Sequence, residues 1–183
     1  MPAFHDVFPL RSGRAHEVMG AGATGFAAIA CGLNPGPALW IVEAWSGERL
    51  NPLGLAEFCD PAKLLLARVK DMAEALAAAE EALRSGAVAT VVAEVSGGVS
   101  LTAGRRLQLA AEAGKATGLL LVSEGHGSNA TETRWRCSPA FDARDSTLQR
   151  WELIKNKRGT LTAWTLRWDA QAHRIIVVSE AGE

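Results

Sequence analysis

The sequence predicts an α/β protein with a mostly parallel central sheet flanked by helices, and with antiparallel strands at the C-terminal edge. Short, nearly continuous apolar segments alternate with helical segments up to about residue 123, a pattern typical of parallel strands buried on both faces. Beyond Ser123 there is no room for crossover helices, so the remaining strands are expected to join through short turns. With 183 residues and no repeat or clear linker, we expect a single domain over residues 1–183.

Each predicted element has a local signal. The parallel strands are expected over residues 15–19, 38–43, 64–69, 88–95 and 118–122, and the antiparallel ones over 134–137, 151–155, 163–168 and 174–179. The clearest helix covers residues 72–85, because Asp71 and Glu74 form a capping box and Gly86 closes the last turn. A second helix is expected over residues 103–113, ended by Gly114.

The segment between the first strand and an apolar helix expected over residues 26–33 has the glycine frame of a phosphate-binding loop. It reads G-A-G-A-T-G-F-A from residue 20, with glycine at Gly20, Gly22 and Gly25. In a working loop a lysine neutralises the phosphates and a hydroxyl holds Mg²⁺. Here Phe26 and Ala27 stand at those positions, and the phenyl ring is expected to occupy space beside the phosphates. We therefore predict a vestigial loop with no ATP hydrolysis, no cofactor and no metal. The alternative is a plain glycine turn before a buried helix.

Composition excludes several classes of protein. The formal net charge of −1 gives no strong field toward nucleic acid or anionic membranes. Three widely spaced cysteines form no zinc motif and suit a reducing compartment. Since no leader or membrane-spanning segment is recognised, a cytoplasmic protein is expected.

Two segments resemble the RecA recombinase core. The first is similar to the end of a helix followed by the Walker B strand: it reads R-S-G-A-V at residues 84–88 and T-V-V-A-E at 90–94, with Glu94 near the usual aspartate. The second is similar to another RecA strand and reads W-E-L-I-K-N-K at residues 151–157. The resemblance implies a RecA-like core. The resemblance places Ala44 and Trp45 around the position of the glutamate that activates water in the recombinases, and Glu43 lies one residue away. The expected DNA-binding loops, 96–102 and 125–131, are short, so a recombinase is not expected.

Three further segments resemble the ImuA family: R-R-L-Q-L-A-A-E-A-G at residues 105–114, T-G-L-L-L at 117–121 and T-R-W-R at 133–136. This resemblance implies a RecA-like accessory protein of SOS mutagenesis and translesion DNA synthesis. Its expected partners are ImuB, a homologue of Y-family polymerases, and RecA itself, on the nucleoid during DNA damage. SulA, a cell-division inhibitor, is also similar in being a RecA-like domain without a working nucleotide site. A SulA-like function is therefore one alternative, and an NTPase with a lysine from elsewhere is another.

The C-terminal half carries a weaker candidate surface for DNA or a protein partner. Basic residues alternate there with tryptophans, as stacking and phosphate contact on a single strand would require; they are Arg134, Trp135, Arg136, Trp151, Lys155, Lys157 and Arg158. The alternative is that the cations solvate an exposed sheet edge. Trp164, Leu166 and Trp168 share one strand face and are expected in the core. The alternative is that this face is uncovered at the end of the sheet and forms an aromatic patch for a partner. His126 and Ser128 are expected in a solvated loop, not in a catalytic pair.

Overall fold

A nine-stranded sheet organises the chain in the computed structural model, which describes residues 3–47 and 50–180. The strands are β1 (Ala15–Met19), β2 (Ala38–Glu43), β3 (Leu64–Val69), β4 (Thr90–Glu94), β5 (Thr117–Leu121), β6 (Thr133–Pro139), β7 (Gln149–Asn156), β8 (Thr162–Asp169) and β9 (Arg174–Glu180). Their spatial order is β3-β2-β4-β5-β1-β6-β7-β8-β9. Pairing is parallel from β3 to β6 and antiparallel from β6 to β9, which confirms the predicted fold class and is consistent with a RecA-like fold.

The described residues also form five α-helices and a short 3₁₀ helix at Pro61–Lys63. The α-helices are α1 (Phe4–Val7), α2 (Ala23–Leu33), α3 (Pro52–Leu55), α4 (Met72–Ser85) and α5 (Leu101–Gly114). The predicted cap of α4 is confirmed, since the Asp71 carboxylate accepts from the Glu74 N–H and Gly86 adopts a left-handed conformation. Helix α5 begins two residues earlier than predicted, because Ser100 caps it. No helix among the described residues is both long and apolar enough to cross a membrane.

The sheet separates two apolar cores because side chains alternate along each strand. Helix α2 and the aromatic rings of β6, β7 and β8 fill one core, whereas α4 and α5 fill the other. Trp164 and Leu166 lie fully in the first core, as predicted, and Trp168 packs beside it.

One strand was assigned the wrong environment. Residues 64–69 were expected to be buried on both faces, but β3 is the edge of the parallel half, and Leu65 and Leu66 are 57% and 53% exposed. An apolar run predicts a strand without identifying its neighbours, because the strand order depends on contacts distant in sequence.

Candidate functional site

The turn between β1 and α2 is shorter than a phosphate-binding loop. Helix α2 begins at Ala23, so Gly25 lies in its first turn and the loop is reduced to Gly20–Gly22. The expected helix start at residue 26 is therefore three residues too late. Three backbone N–H groups of this turn and of the first turn of α2 already have partners within the protein. Gly22 donates to the Cys137 carbonyl (2.9 Å), Ala23 to the Gly20 carbonyl (3.0 Å) and Phe26 to the Gly22 carbonyl (3.0 Å).

The two first glycines of the frame are needed for close contact with β6. A Cβ atom on Gly20, whose φ is +92°, would lie 2.4 Å from the Cys137 carbonyl oxygen, and one on Gly22 would lie 3.1 Å from Cys137 Cβ. Gly25 differs, because a Cβ there would meet only the Gln149 side-chain nitrogen at 3.9 Å. The backbone of β6 therefore lies directly against the turn, in contact with the glycines that would approach a phosphate in a nucleotide hydrolase.

Phe26 and Ala27 are fully buried on the core side of α2. The Phe26 ring contacts Trp151 (centroids 4.5 Å apart), Phe8 (5.3 Å) and Trp135 (5.5 Å). The expectation that this phenyl ring projects beside a phosphate is wrong. An aromatic residue at the start of an apolar helix is buried where other aromatic rings are available, and two of these rings, Trp135 and Trp151, belong to strands more than 100 residues further along the chain.

The outer side of the turn opens on a cavity of about 380 Å³ between Gly22, Gly25, Phe58, Gln149 and Trp168. No side chain caps the first turn of α2. None of the residues described as lining this cavity is a lysine or arginine. A triphosphate placed there would face a helix N-terminus without a cation to neutralise it.

The Walker B position and the neighbouring strand end each carry a carboxylate with hydrogen-bond donors in place. Glu94 accepts from the indole N–H of Trp40 at 2.7 Å. Glu43 accepts from the Trp45 indole (2.6 Å) and from the backbone N–H and hydroxyl of Ser96 (2.9 and 3.1 Å). Burial alone would raise the pKa of Glu43, but these hydrogen bonds outweigh it and hold the pKa below its usual value. Among residues 3–47 and 50–180, no group of three or more His, Cys, Asp or Glu side chains is placed to hold a metal ion.

Comparison with known proteins supplies the family. No family model matches the sequence. Two curated proteins from two strains of Caulobacter vibrioides, each named Protein ImuA, are 34% identical to this chain over 165 residues, covering 76% of this chain and 66% of each relative. The chain belongs to the ImuA family. It spans just under two thirds of the length of these ImuA proteins.

The tryptophans of the candidate DNA surface in this ImuA-family chain are not accessible. Trp135 and Trp151 are fully buried in the aromatic core, so the expectation that they stack on bases between the cations is wrong. Alternation along a strand places every second side chain on the covered face, and the rings occupy that face.

The basic side chains of the same surface contact groups within the protein. Arg134 pairs with Glu17, and Arg136 makes two hydrogen bonds to Glu124 at 2.8 and 2.9 Å. The other three cations contact the segment that precedes β6: Lys155 donates to the Thr131 carbonyl, Lys157 to the Ala130 carbonyl, and Arg158 lies 2.9 Å from Glu132. These contacts hold the connection between β5 and β6 against the sheet.

A buried polar network surrounds Glu17, which the sequence pattern alone does not identify as a site residue. Glu17 lies in β1 with no exposed surface, and it accepts from the Ser128 N–H (2.6 Å), the Thr131 hydroxyl (3.1 Å) and Arg134 (2.7 Å). Ser128 is therefore buried, and the solvated loop expected around it is wrong in this respect. Its hydroxyl donates to the Ser100 carbonyl (3.2 Å). The sequence does contain one indication of this network: His16 and Glu17 lie inside a strand that is otherwise predicted to be buried. A buried carboxylate requires a hydrogen-bonding partner.

Proposed function

We propose that this chain is a non-catalytic RecA-like accessory protein of damage-induced, error-prone translesion DNA synthesis. It acts through protein–protein contacts, with an ImuB-like homologue of Y-family polymerases and with RecA as partners, in the cytoplasm and on the nucleoid after DNA damage. Membership in the ImuA family supports the role in mutagenesis.

The single observation that carries the non-catalytic mechanism is the contact between β6 and the turn after β1. The N–H of Gly22 is bonded to Cys137, and a Cβ on Gly20 would overlap the same carbonyl. Phosphoryl transfer depends on positioning and on charge neutralisation around the phosphates. The cavity beside this turn has no lysine or arginine among its described lining residues, so neither requirement is met by that surface.

Gly25 allows a direct test of nucleotide dependence. A Cβ at this position in the first turn of α2 would make only an ordinary contact with the Gln149 side chain at 3.9 Å, so Gly25→Asp should fold. An acidic residue near a helix N-terminus stabilises the helix by about 0.3–1 kcal/mol. The new carboxylate would repel any phosphate bound there. We expect the variant to support damage-induced mutagenesis as well as the wild-type protein does when it replaces the chromosomal copy.

Gly25→Asn is the matched control, because it has nearly the same shape and no charge. Loss of mutagenesis in Gly25→Asp alone would contradict the proposal and indicate an anion at this turn. Loss in both variants would instead identify the surface as a partner contact. Calorimetry with Mg-ATP on purified protein provides the second measurement, and micromolar binding with turnover would also contradict the proposal.

Affinity purification from DNA-damaged cells tests the partners. We expect the ImuB-like protein to co-purify. Recovery of the tubulin-like division protein without any polymerase component, together with filamentous growth on overexpression, would favour the SulA-like alternative.

A further inference from the structure

A second cavity lies at the opposite end of the sheet from the turn after β1. It has a volume of about 420 Å³ and lies between the segment around Val7, Pro9 and Arg11 and the residues around Glu132 and Arg158. We call it the basal pocket. Glu132 directly precedes β6 and its N–H bonds to the Ala15 carbonyl at the start of β1, so the pocket lies at the amino ends of these parallel strands.

The described lining of the basal pocket contains two arginines, Arg11 and Arg158, and two acids, Asp6 and Glu132, of which Glu132 is buried beside the arginines. Arg158 Nε and Arg11 Nη1 lie 2.9 and 3.9 Å from Glu132 Oε1, and Arg14 Nε lies 4.0 Å from Oε2. Arg14 also pairs with Glu112 at 3.4 Å. The Arg11 and Arg158 side chains line the cavity and are 46% and 61% exposed. One carboxylate therefore positions two accessible guanidinium groups.

The hydrogen-bonding capacity of this cluster is incompletely used. Glu132 Oε1 is buried, yet it has no hydrogen bond from the described residues, because the nearby Arg158 N–H is not aligned with it. The side chains of Arg11 and Arg158 make no hydrogen bond to another described residue beyond their ion pairs with Glu132. Their donors are thus available to a ligand.

Two titratable groups behind the pocket have lowered pKa values. The pKa of His16, whose ring bonds to Thr133 and to the Arg11 carbonyl, is lowered to about 3 by burial and then by the charges of Lys155 and Arg14. The pKa of Lys155 is lowered to about 8, first by burial and then by Lys157. Asp6 is the other acid that lines the cavity, and it is occupied by the Ala3 N–H (3.0 Å) and by His5 (3.5 Å).

We propose that the basal pocket binds a phosphomonoester, with Arg11 and Arg158 contacting the phosphate and Val7 and Pro9 contacting the organic part. Guanidinium groups match phosphate oxygens in geometry as well as in charge. The cavity is larger than inorganic phosphate requires and lies within the range of small-molecule sites. A nucleoside 5′-monophosphate and the phosphorylated 5′ end of a DNA strand share this chemistry.

Calorimetric titration of the purified wild-type protein tests the proposal with four probes: inorganic phosphate, a deoxynucleoside 5′-monophosphate, and a short single-stranded oligonucleotide with and without a 5′-phosphate. We expect the mononucleotide or the phosphorylated oligonucleotide to bind, and the unphosphorylated strand to bind at least tenfold more weakly than the phosphorylated one. Arg11→Ala and Arg158→Ala should each weaken binding about tenfold or more, since each removes charged hydrogen bonds. Arg105→Ala, which removes an exposed arginine of α5 outside the pocket, should leave binding unchanged.

The comparison among probes identifies the source of the phosphate. Equal binding of the mononucleotide and the phosphorylated strand supports a small-molecule site, whereas tighter binding of the strand supports recognition of a DNA end. Failure of every phosphorylated probe to bind at millimolar concentration would overturn the proposal, as would an equal loss in Arg105→Ala. Because purified protein is used, the result is separate from any outcome of the mutagenesis assay.

Discussion

Alanine substitutions at Gly20 and Gly25, two glycines of the same motif, are predicted to have opposite effects on the free energy of unfolding. Gly20→Ala places a Cβ 2.4 Å from the Cys137 carbonyl at a φ of +92°. A strained left-handed residue costs about 1–3 kcal/mol, and overpacking against a backbone costs about 1–3 kcal/mol more. The backbone of β6 must move, which also weakens the bond from Gly22 to Cys137. We expect a loss of about 3 kcal/mol or more in the free energy of unfolding, equivalent to a fall in Tm of roughly 6–12 °C.

Gly25→Ala introduces the same methyl group into the same motif, but inside a helix, where it meets only the Gln149 side chain at 3.9 Å. It should stabilise the protein by about 0.5–1 kcal/mol, because alanine loses less backbone entropy than glycine in a helix. Thermal and urea denaturation followed by circular dichroism measure both variants. A wild-type Tm for Gly20→Ala, or a strong destabilisation by Gly25→Ala, would refute the assignment of these glycines to the β6 contact and to an open helix turn.

Three further predictions concern buried polar groups. Arg134→Ala removes the cation paired with fully buried Glu17 and should cost about 3–5 kcal/mol of unfolding free energy in urea denaturation. Adding Glu17→Gln to this variant should recover most of the loss. If the losses of the two single variants simply add in the double variant, this pairing is contradicted. Glu94→Ala removes the acceptor of the Trp40 indole and should cost about 1–3 kcal/mol, whereas a cost as large for Glu94→Gln would contradict that role. The pKa of His16 is about 3 in the fold, against 6.5 for the free side chain, so the unfolded state binds more protons between these values. The free energy of unfolding should therefore fall as the pH falls from 6.5 to 3, by up to about 4–5 kcal/mol from this group. His16→Gln should remove this contribution to the pH dependence of the unfolding free energy. An equal pH dependence in the wild-type protein and the variant would contradict the lowered pKa of His16.

Local interactions were predictable from the sequence, and contacts between distant segments were not. The cap of α4 at Asp71 depends on residues three positions apart, so the sequence identified it correctly. The exposure of Leu66 on the edge strand depends on which strands pair. The burial of Trp135 depends on which face of β6 is covered by the aromatic core. The network around Glu17 required residues more than 100 positions away. The glycine frame was recognised, but its contact with Cys137 follows only from the position of β6 beside β1.

The substitution at position 26 removes the phosphate-binding cation and also builds the core that holds β6 in place. Phe26 packs against Trp151 and Trp135, which belong to β7 and β6, while the backbone of β6 contacts the turn at Gly20 and Gly22. Phe26→Lys would therefore bury an ammonium group among aromatic rings, where its desolvation is uncompensated. We expect this variant to be destabilised by more than 3 kcal/mol in urea denaturation and to gain no binding of Mg-ATP. If the variant folds stably and binds ATP, the turn can accept phosphates without the aromatic core. That result would contradict the coupling between the packing of Phe26 and the contact of β6 with the turn.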